Sequence, residues 1–199
     1  PRALMDLSDE QVTYPTYSSG SATIDLLFYH ESGMDTPIAI ADFVIELTNQ
    51  AMADSQIDLT INIVGVRPVE IAPSLSQADA LDKMFNAETP FADIKSDRTF
   101  YGADLVVLLR ENVPEEEEAC GAAYVGVVDG APFRSAYVAV IQWLPVENAT
   151  GNTYCTDTTT AHEIGHMLGS LHERRIEEED DLGAYPFSFG HYRPGICHT

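Results

Sequence analysis

The pattern H-E-x-x-H-x-x-G-x-x-H, at residues 162–172, constrains this chain more than any other feature of its sequence. On an α-helix, His162 and His166 lie one turn apart on the same face, so both imidazoles can bind one metal ion. Gly169 tolerates a positive φ and can end the helix and turn the chain back, which brings His172 to the same ion. The spacing therefore predicts a three-histidine metal site at the end of a helix.

Three histidine ligands predict a catalytic metal rather than a structural one. Zinc accepts neutral imidazole nitrogen in tetrahedral geometry, and three protein ligands leave its fourth position to water. Glu163 follows the first ligand and points about 100° around the helix, where its carboxylate can reach that water and act as general base. The alternative is that Thr160 and Glu163 form a capping box and the histidines are ordinary surface residues.

The complete motif resembles that of the metzincin clan of zinc endopeptidases. Residues 121–126 and 134–141 are similar to the strand region before the zinc helix of reprolysin-like, adamalysin-type members. Residues 103–109 resemble the strand that precedes this region. The likeness extends over residues 24–172, closely at the motif and loosely elsewhere. Glu173, directly after the third histidine, is more similar to the residue that astacins carry there.

The resemblance implies an α/β (α+β) fold. Its parts are a twisted, mostly parallel sheet with an antiparallel edge strand, packed helices, an active-site helix and a small irregular C-terminal lobe. It also implies zinc-dependent hydrolysis of peptide bonds in proteins, with the three histidines of the motif as ligands and Glu163 as the base. A peptide substrate would add to the edge strand through main-chain hydrogen bonds. The candidate contacts on that strand are Ala122, Ala123, Tyr124 and Val125. An interior strand with no ligand role is the alternative.

We expect one catalytic domain over residues 1–199, with an upper lobe at 1–169 that ends in the zinc helix and a partial lower lobe at 170–199. Metzincins carry a methionine turn beneath the zinc, after the third histidine, whereas no methionine follows Met167 here. Either the polypeptide is cut short at Thr199 or another segment forms the floor of the site. The missing turn favours a second hypothesis, a catalytically silent relative that keeps the zinc and binds a protein partner.

The net charge is −22, from 32 acidic and 10 basic residues. This charge argues against nucleic acid and anionic membranes as partners, because both bind basic patches. No apolar run approaches the roughly 18 residues that a bilayer crossing needs, and no signal peptide is visible. We therefore expect neither a nucleic acid nor a membrane as partner. The resemblance implies a protein or peptide substrate, and we expect a monomer.

Acidic clusters raise the question of calcium, a cation that prefers carboxylate oxygen. Residues 115–118 are four consecutive glutamates. We interpret them as a solvated loop, with a calcium site as the alternative. A calcium-dependent acidic binding module is accordingly a third hypothesis for the function.

Three cysteines allow one disulfide in three possible pairings. Cys120 and Cys155 bracket the strands that lead into the zinc helix, and we favour this pair. A disulfide there would indicate an oxidising, extracellular setting, so we expect a secreted protein. We then interpret Cys197 as a structural thiol and leave its partner open, with a residue beyond Thr199 as one option. The alternative is three free thiols in an intracellular protein.

The hydrophobic pattern predicts the remaining elements. Strands are predicted at 22–29, 59–66, 103–109, 121–128 and 137–144, and helices at 38–53 and 74–86. Residues 91–101 predict a short helix or an irregular link. Pro68 is expected to end or bend the second strand. Asp157 and Thr158 are candidate N-caps of the zinc helix.

Overall fold

The structure, a computed structural model, describes residues 20–111, 120–126, 138–142, 157–173, 183–184 and 188–190. Its strands are β1 (Ala22–Glu31), β2 (Leu59–Val69), β3 (Leu105–Arg110), β4 (Gly121–Ala123), β5 (Val138–Gln142), β6 (Leu171–Glu173) and β7 (Phe189–Gly190). Its helices are α1 (Pro37–Asp54), α2 (Gln77–Asn86), α3 (Ile94–Tyr101) and α4 (Thr159–Met167).

Five strands form the main sheet in the order β2-β1-β3-β5-β4. The first four run parallel, and β4 alone pairs antiparallel, with β5. Strands that run parallel in one sheet need long crossover connections. Helix α1 lies in the connection from β1 to β2, and α2 and α3 lie in the connection from β2 to β3. The predicted fold class, a mostly parallel sheet with an antiparallel edge strand, is confirmed. A separate two-stranded sheet pairs β6 with β7 in parallel.

The core lies along the interior strands β1 and β3. Both are almost continuously apolar, as expected of strands that are covered on both faces. Their fully buried apolar side chains include Leu26, Leu27, Phe28, Val106, Val107 and Leu108. Helix α4 contacts β4, β5 and α1 and buries Ile164 and Met167 completely. This packing fixes the helix that carries the histidine motif against the edge of the sheet.

Three element boundaries differ from the prediction for identifiable reasons. Strand β2 runs through Pro68 to Val69, since it has a neighbour on one side only and a missing N–H is tolerated at a sheet edge. Helix α2 begins at Gln77, because the Ser76 side chain accepts a hydrogen bond from the Asp79 amide and caps the helix there. Strand β4 ends at Ala123, and residues 124–126 continue without strand pairing.

Several predicted features lie outside the described residues. These are the acidic run at 115–118, Cys155, Cys197 and most of the lower lobe. The pairing of Cys120 with Cys155 and the division into two lobes therefore stay predictions. In the part of the chain that the structure describes, no helix combines the length and the apolar character needed to cross a bilayer.

Candidate metal centre

Helix α4 presents the first two histidines of the motif from a partly buried face. It begins at Thr159, with Thr158 as N-cap, so Thr160 lies inside the helix rather than at its cap. Thr160 and Glu163 are both buried, and His166 is only 8% exposed. The capping-box interpretation with surface histidines is therefore wrong.

The chain leaves α4 through a Schellman turn. Gly169 has φ 97°, which only glycine adopts at low cost. Its amide donates to the His166 carbonyl at 2.8 Å, and the Ser170 amide donates to the Gly165 carbonyl at 2.9 Å. The turn satisfies the last helical carbonyls and directs the chain back into β6, which carries His172.

The three imidazoles converge on one point. The Nε2 atoms of His162 and His166 are 2.9 Å apart, and each is 3.2 Å from the Nε2 atom of His172. A tetrahedral zinc ion with Zn–N bonds of 2.0–2.1 Å would hold its ligand nitrogens about 3.3–3.4 Å apart. The observed separations are close to this value. The three side chains together form a group that can hold one metal ion.

The protonation states of the imidazoles also suit metal binding. His166 Nδ1 lies 2.7 Å from the Ser170 carbonyl oxygen, which can only accept, so Nδ1 carries the proton and Nε2 keeps its lone pair. Burial, and then the neighbouring His166 and His172, lower the pKa of His162 to about 4. His162 is therefore neutral at pH 7, which is the form that coordinates a metal.

Glu163 is a buried carboxyl group on the same helix. It is 4% exposed, and burial raises its pKa from 4.5 to about 8. A group whose pKa lies near the working pH can both take up and release a proton during a reaction. Gly121, the first residue of β4, lies directly against the Glu163 side chain. The arrangement provides a proton-transfer group that bulk water reaches poorly.

The predicted substrate-contact residues separate into two pairs. Ala122 and Ala123 lie on β4, where they pair with β5 on one side. Tyr124 and Val125 follow the end of the strand. The Tyr124 hydroxyl donates to Asp82 of α2, and its ring lies 4.9 Å from the Phe85 ring. The Tyr124 side chain is thus held by α2, and the contact of all four residues with substrate stays a prediction.

Close backbone packing around Gly169 was not predicted from the sequence. The Gly126 amide donates to the His166 carbonyl at 2.9 Å, and the Ala184 amide donates to the Gly169 carbonyl at 2.8 Å. A Cβ atom on Gly126 would lie 2.4 Å from the Met167 carbonyl oxygen. Glycine residues near the motif were the only available signal. These contacts support the turn that delivers His172.

Comparison with known proteins agrees with this geometry. The model of the family described as "Metallo-peptidase family M12B Reprolysin-like" matches residues 39–173, more than half of the chain. No curated protein sequence matches the chain. Two of the solved structures that resemble it are less than 20% identical in sequence, and such a likeness shows the fold alone.

The solved "Structure of a chaperone-substrate complex" is 18% identical with a TM-score of 0.60, covering 85% of this chain and 29% of the other. The crystal structure of metalloproteinase-II from Bacteroides fragilis is 19% identical with a TM-score of 0.51, covering 87% of this chain and 50% of the other. This chain therefore spans half or less of each of these proteins. With the family model matching through the whole histidine motif, the chain belongs to the reprolysin-like metallopeptidases of family M12B.

Proposed function

We propose that this chain is a zinc-dependent endopeptidase that hydrolyses peptide bonds in proteins. The observation that carries the proposal is the convergence of three imidazole Nε2 atoms within 3.2 Å of one another. A buried carboxyl group, Glu163, lies on the same helix as two of them. This is the donor set of a catalytic zinc site, with three protein ligands and an acid–base group beside them.

The residues divide the chemistry between them. His162, His166 and His172 would hold the metal, which when bound supplies Lewis-acid polarisation of the scissile carbonyl and of water. Glu163 accepts the proton of the attacking water at a carboxylate oxygen and then donates it to the leaving amine nitrogen. The hydrogen bond from His166 Nδ1 to the Ser170 carbonyl keeps that ring in its coordinating tautomer throughout.

The edge strand supports a peptide as the substrate. Strand β4 pairs with β5 on one side and lies at the end of the five-stranded order. An extended peptide can add to such an edge through main-chain hydrogen bonds, which would place its backbone beside Glu163. We assign this role to the main chain of Ala122 and Ala123, with Tyr124 and Val125 at the end of the groove.

Replacing Glu163 tests the proposed function. We expect Glu163→Ala to retain zinc, because the three histidines remain, and to cleave casein about 10²–10⁴-fold more slowly than wild type. Elemental analysis and a casein assay, before and after chelation, measure both quantities. Glu46→Ala, a matched change on the exposed face of α1, should cleave like wild type. Equal cleavage by wild type and Glu163→Ala would remove Glu163 from the role of base.

A second candidate function is a catalytically silent relative that binds zinc and a protein partner. We keep it as the alternative because residues 168–199 contain no methionine that could form a methionine turn within them. The buried Glu163 favours the peptidase instead, since a silent protein has no need of a desolvated carboxyl group beside its metal. Wild-type protein that is fully loaded with zinc and leaves casein intact would favour the silent relative.

We further propose that the protein is extracellular and that Cys120 is joined to Cys155 by a disulfide. For the acidic run at 115–118 we favour a solvated loop, and a calcium site is the alternative. The support is compositional: three cysteines and a large acidic excess. Peptide mapping without reduction tests the disulfide, and a calcium titration monitored by melting temperature tests the acidic run.

A further inference from the structure

The first residue of the edge strand lies directly on the side chain of Glu163. A Cβ atom built on Gly121 would be 2.6 Å from Oε1 of Glu163 and 2.8 Å from both Cδ and Cγ. Non-bonded carbon atoms normally stay about 3.5–4.0 Å apart. A methyl group at this position would therefore overlap three successive atoms of the Glu163 side chain, including one of its carboxylate oxygens.

The backbone at Gly121 does not itself require glycine. Gly121 pairs with Ile141 in regular antiparallel register, and its φ is outside the left-handed range in which side chains are strained. Glycine weakens a strand by roughly 0.5–1 kcal/mol relative to alanine, so its presence in a strand often marks the close approach of another group. In this structure that group is Glu163.

We propose that Gly121 is a positioning residue for Glu163. Because it has no side chain, the edge strand lies directly on the carboxyl group, and this contact limits how far the carboxyl group can move toward the strand. The inference rests on the proposed function for its catalytic consequence, whereas the contact itself can be tested without any activity. It also joins two parts of the site, since the strand that would bind a substrate peptide is the strand that confines the base.

The variant Gly121→Ala tests the catalytic consequence. The added methyl group would displace the carboxyl group while the three histidines on α4 and β6 remain in place. We expect zinc content like that of wild type, little change in KM and a fall in kcat of about 10²-fold, which is the cost of misplacing a reacting group by about 1 Å. A kcat equal to that of wild type would overturn the proposal.

Gly65→Ala is the matched control. A Cβ atom there would lie 2.7 Å from Cε1 and 2.8 Å from Cδ1 of Tyr101, so this glycine is equally crowded. Gly65 lies on β2, at the opposite edge of the sheet from β4. We expect this variant to lower the melting temperature and to leave kcat unchanged. A similar loss of kcat in both variants would show a general effect of sheet distortion and would count against a specific role for Gly121.

A double-mutant cycle with Glu163→Ala tests the contact in metal-free protein. Truncation of Glu163 removes all three atoms that the methyl group would meet, so the cost of Gly121→Ala should disappear. We expect Gly121→Ala to lower the melting temperature of the chelated protein, but not that of the chelated Glu163→Ala variant. Equal shifts in the two backgrounds would overturn the proposal. This cycle needs neither zinc nor substrate, so it tests the contact independently of activity. A wild-type protein that fails to cleave would disprove the proposed function, and the cycle would still show whether Gly121 contacts Glu163.

Discussion

The interior of the sheet and the turn after α4 are both tightly packed, but through different kinds of contact. In β3 every residue is buried, and the strand meets its neighbours through large side chains such as Leu108. Around Gly169 the hydrogen bonds are between backbone groups. The Gly126 amide donates to the His166 carbonyl of α4 at 2.9 Å, and the Ala184 amide donates to the Gly169 carbonyl at 2.8 Å. The sheet interior is stabilised by large buried side chains, whereas the turn can form only because glycine has no side chain to block the close approach of the backbone.

This difference implies that stability and metal binding can be changed separately. A change in the sheet interior alters the free energy of unfolding and leaves the three imidazoles where they are. A change in the turn moves β6, which carries the third imidazole, even when its cost in stability is smaller. Substitutions in each region can test this separation.

The largest expected effect comes from a buried ion pair at the end of β1 and β3. Arg110 is fully buried, and its Nε donates to Glu31 at 3.0 Å while its Nη1 donates to the Leu75 carbonyl at 2.7 Å. Arg110→Met leaves the buried Glu31 carboxylate without its guanidinium, so we expect the free energy of unfolding to fall by about 3–5 kcal/mol. Urea denaturation measures this loss, and zinc content should stay unchanged in the folded protein.

Arg67→Met is the control for this prediction. Arg67 also forms an ion pair, with Asp97, but its side chain is 39% exposed. Because the Arg67 side chain stays partly in water, loss of this pair should cost less, about 1 kcal/mol. If Arg110→Met lost its zinc while remaining folded, the sheet interior and the metal site would not be separable.

The next effect concerns the turn. Gly169→Ala would place a Cβ atom 2.3 Å from the Ala184 Cβ and 2.5 Å from the Gly126 carbonyl oxygen. Gly33 is a suitable reference, because its φ is also positive, at 91°, but no atom lies within 4 Å of the position that a Cβ would take there. We expect Gly169→Ala to cost about 1–3 kcal/mol more than Gly33→Ala, which is the contribution of overpacking alone.

The same pair of variants separates strain from metal binding. Gly169→Ala should lower zinc affinity by about 10–100-fold, the usual effect of disturbing the support of a metal ligand, while Gly33→Ala should bind zinc like wild type. Competition with a chromophoric chelator measures both affinities. Unchanged affinity in a folded Gly169→Ala variant would mean that the turn does not determine the position of His172.

Sequence reasoning predicted the parts of the molecule that rely on side chains. The apolar runs of β1 and β3 and the helical spacing of α1 place large residues in a core, and this periodicity is visible in the residue order. The histidine spacing in the motif likewise predicts which rings can meet, because helix geometry is regular. In both cases the regular geometry of a helix or strand converts the spacing of residues in the sequence into their positions in space.

The parts that escaped prediction are either too short to show a periodicity or depend on contacts between residues that are far apart in the sequence. Strands β6 and β7 have three and two residues, too few for any periodicity to appear. The early end of β4 at Ala123 is coupled to a tertiary contact, since Tyr124 turns onto α2 and bonds to Asp82. The role of Gly121 is also invisible in the sequence, because a glycine does not reveal which side chain takes its space.

The smallest effect concerns Tyr124, which lies between the end of strand β4 and Gly126. The hydrogen bond to Asp82, then burial, then the charge of Asp82 raise the pKa of Tyr124 from 10 to about 12. Tyr124→Phe removes this bond, and because the site is partly exposed we expect a loss of roughly 0.5–1 kcal/mol at neutral pH.

A raised pKa in the folded state means that this contribution is fully present below pH 10 and is lost as the pH rises through about 12. The difference in unfolding free energy between wild type and Tyr124→Phe should therefore be constant from about pH 7 to 9 and shrink above about pH 10. Repeating the comparison in an Asp82→Ala background should abolish the difference at neutral pH, because Tyr124→Phe keeps the ring contact with Phe85 and loses only the hydroxyl. A difference that persists there at neutral pH would show that the hydroxyl does not act through Asp82.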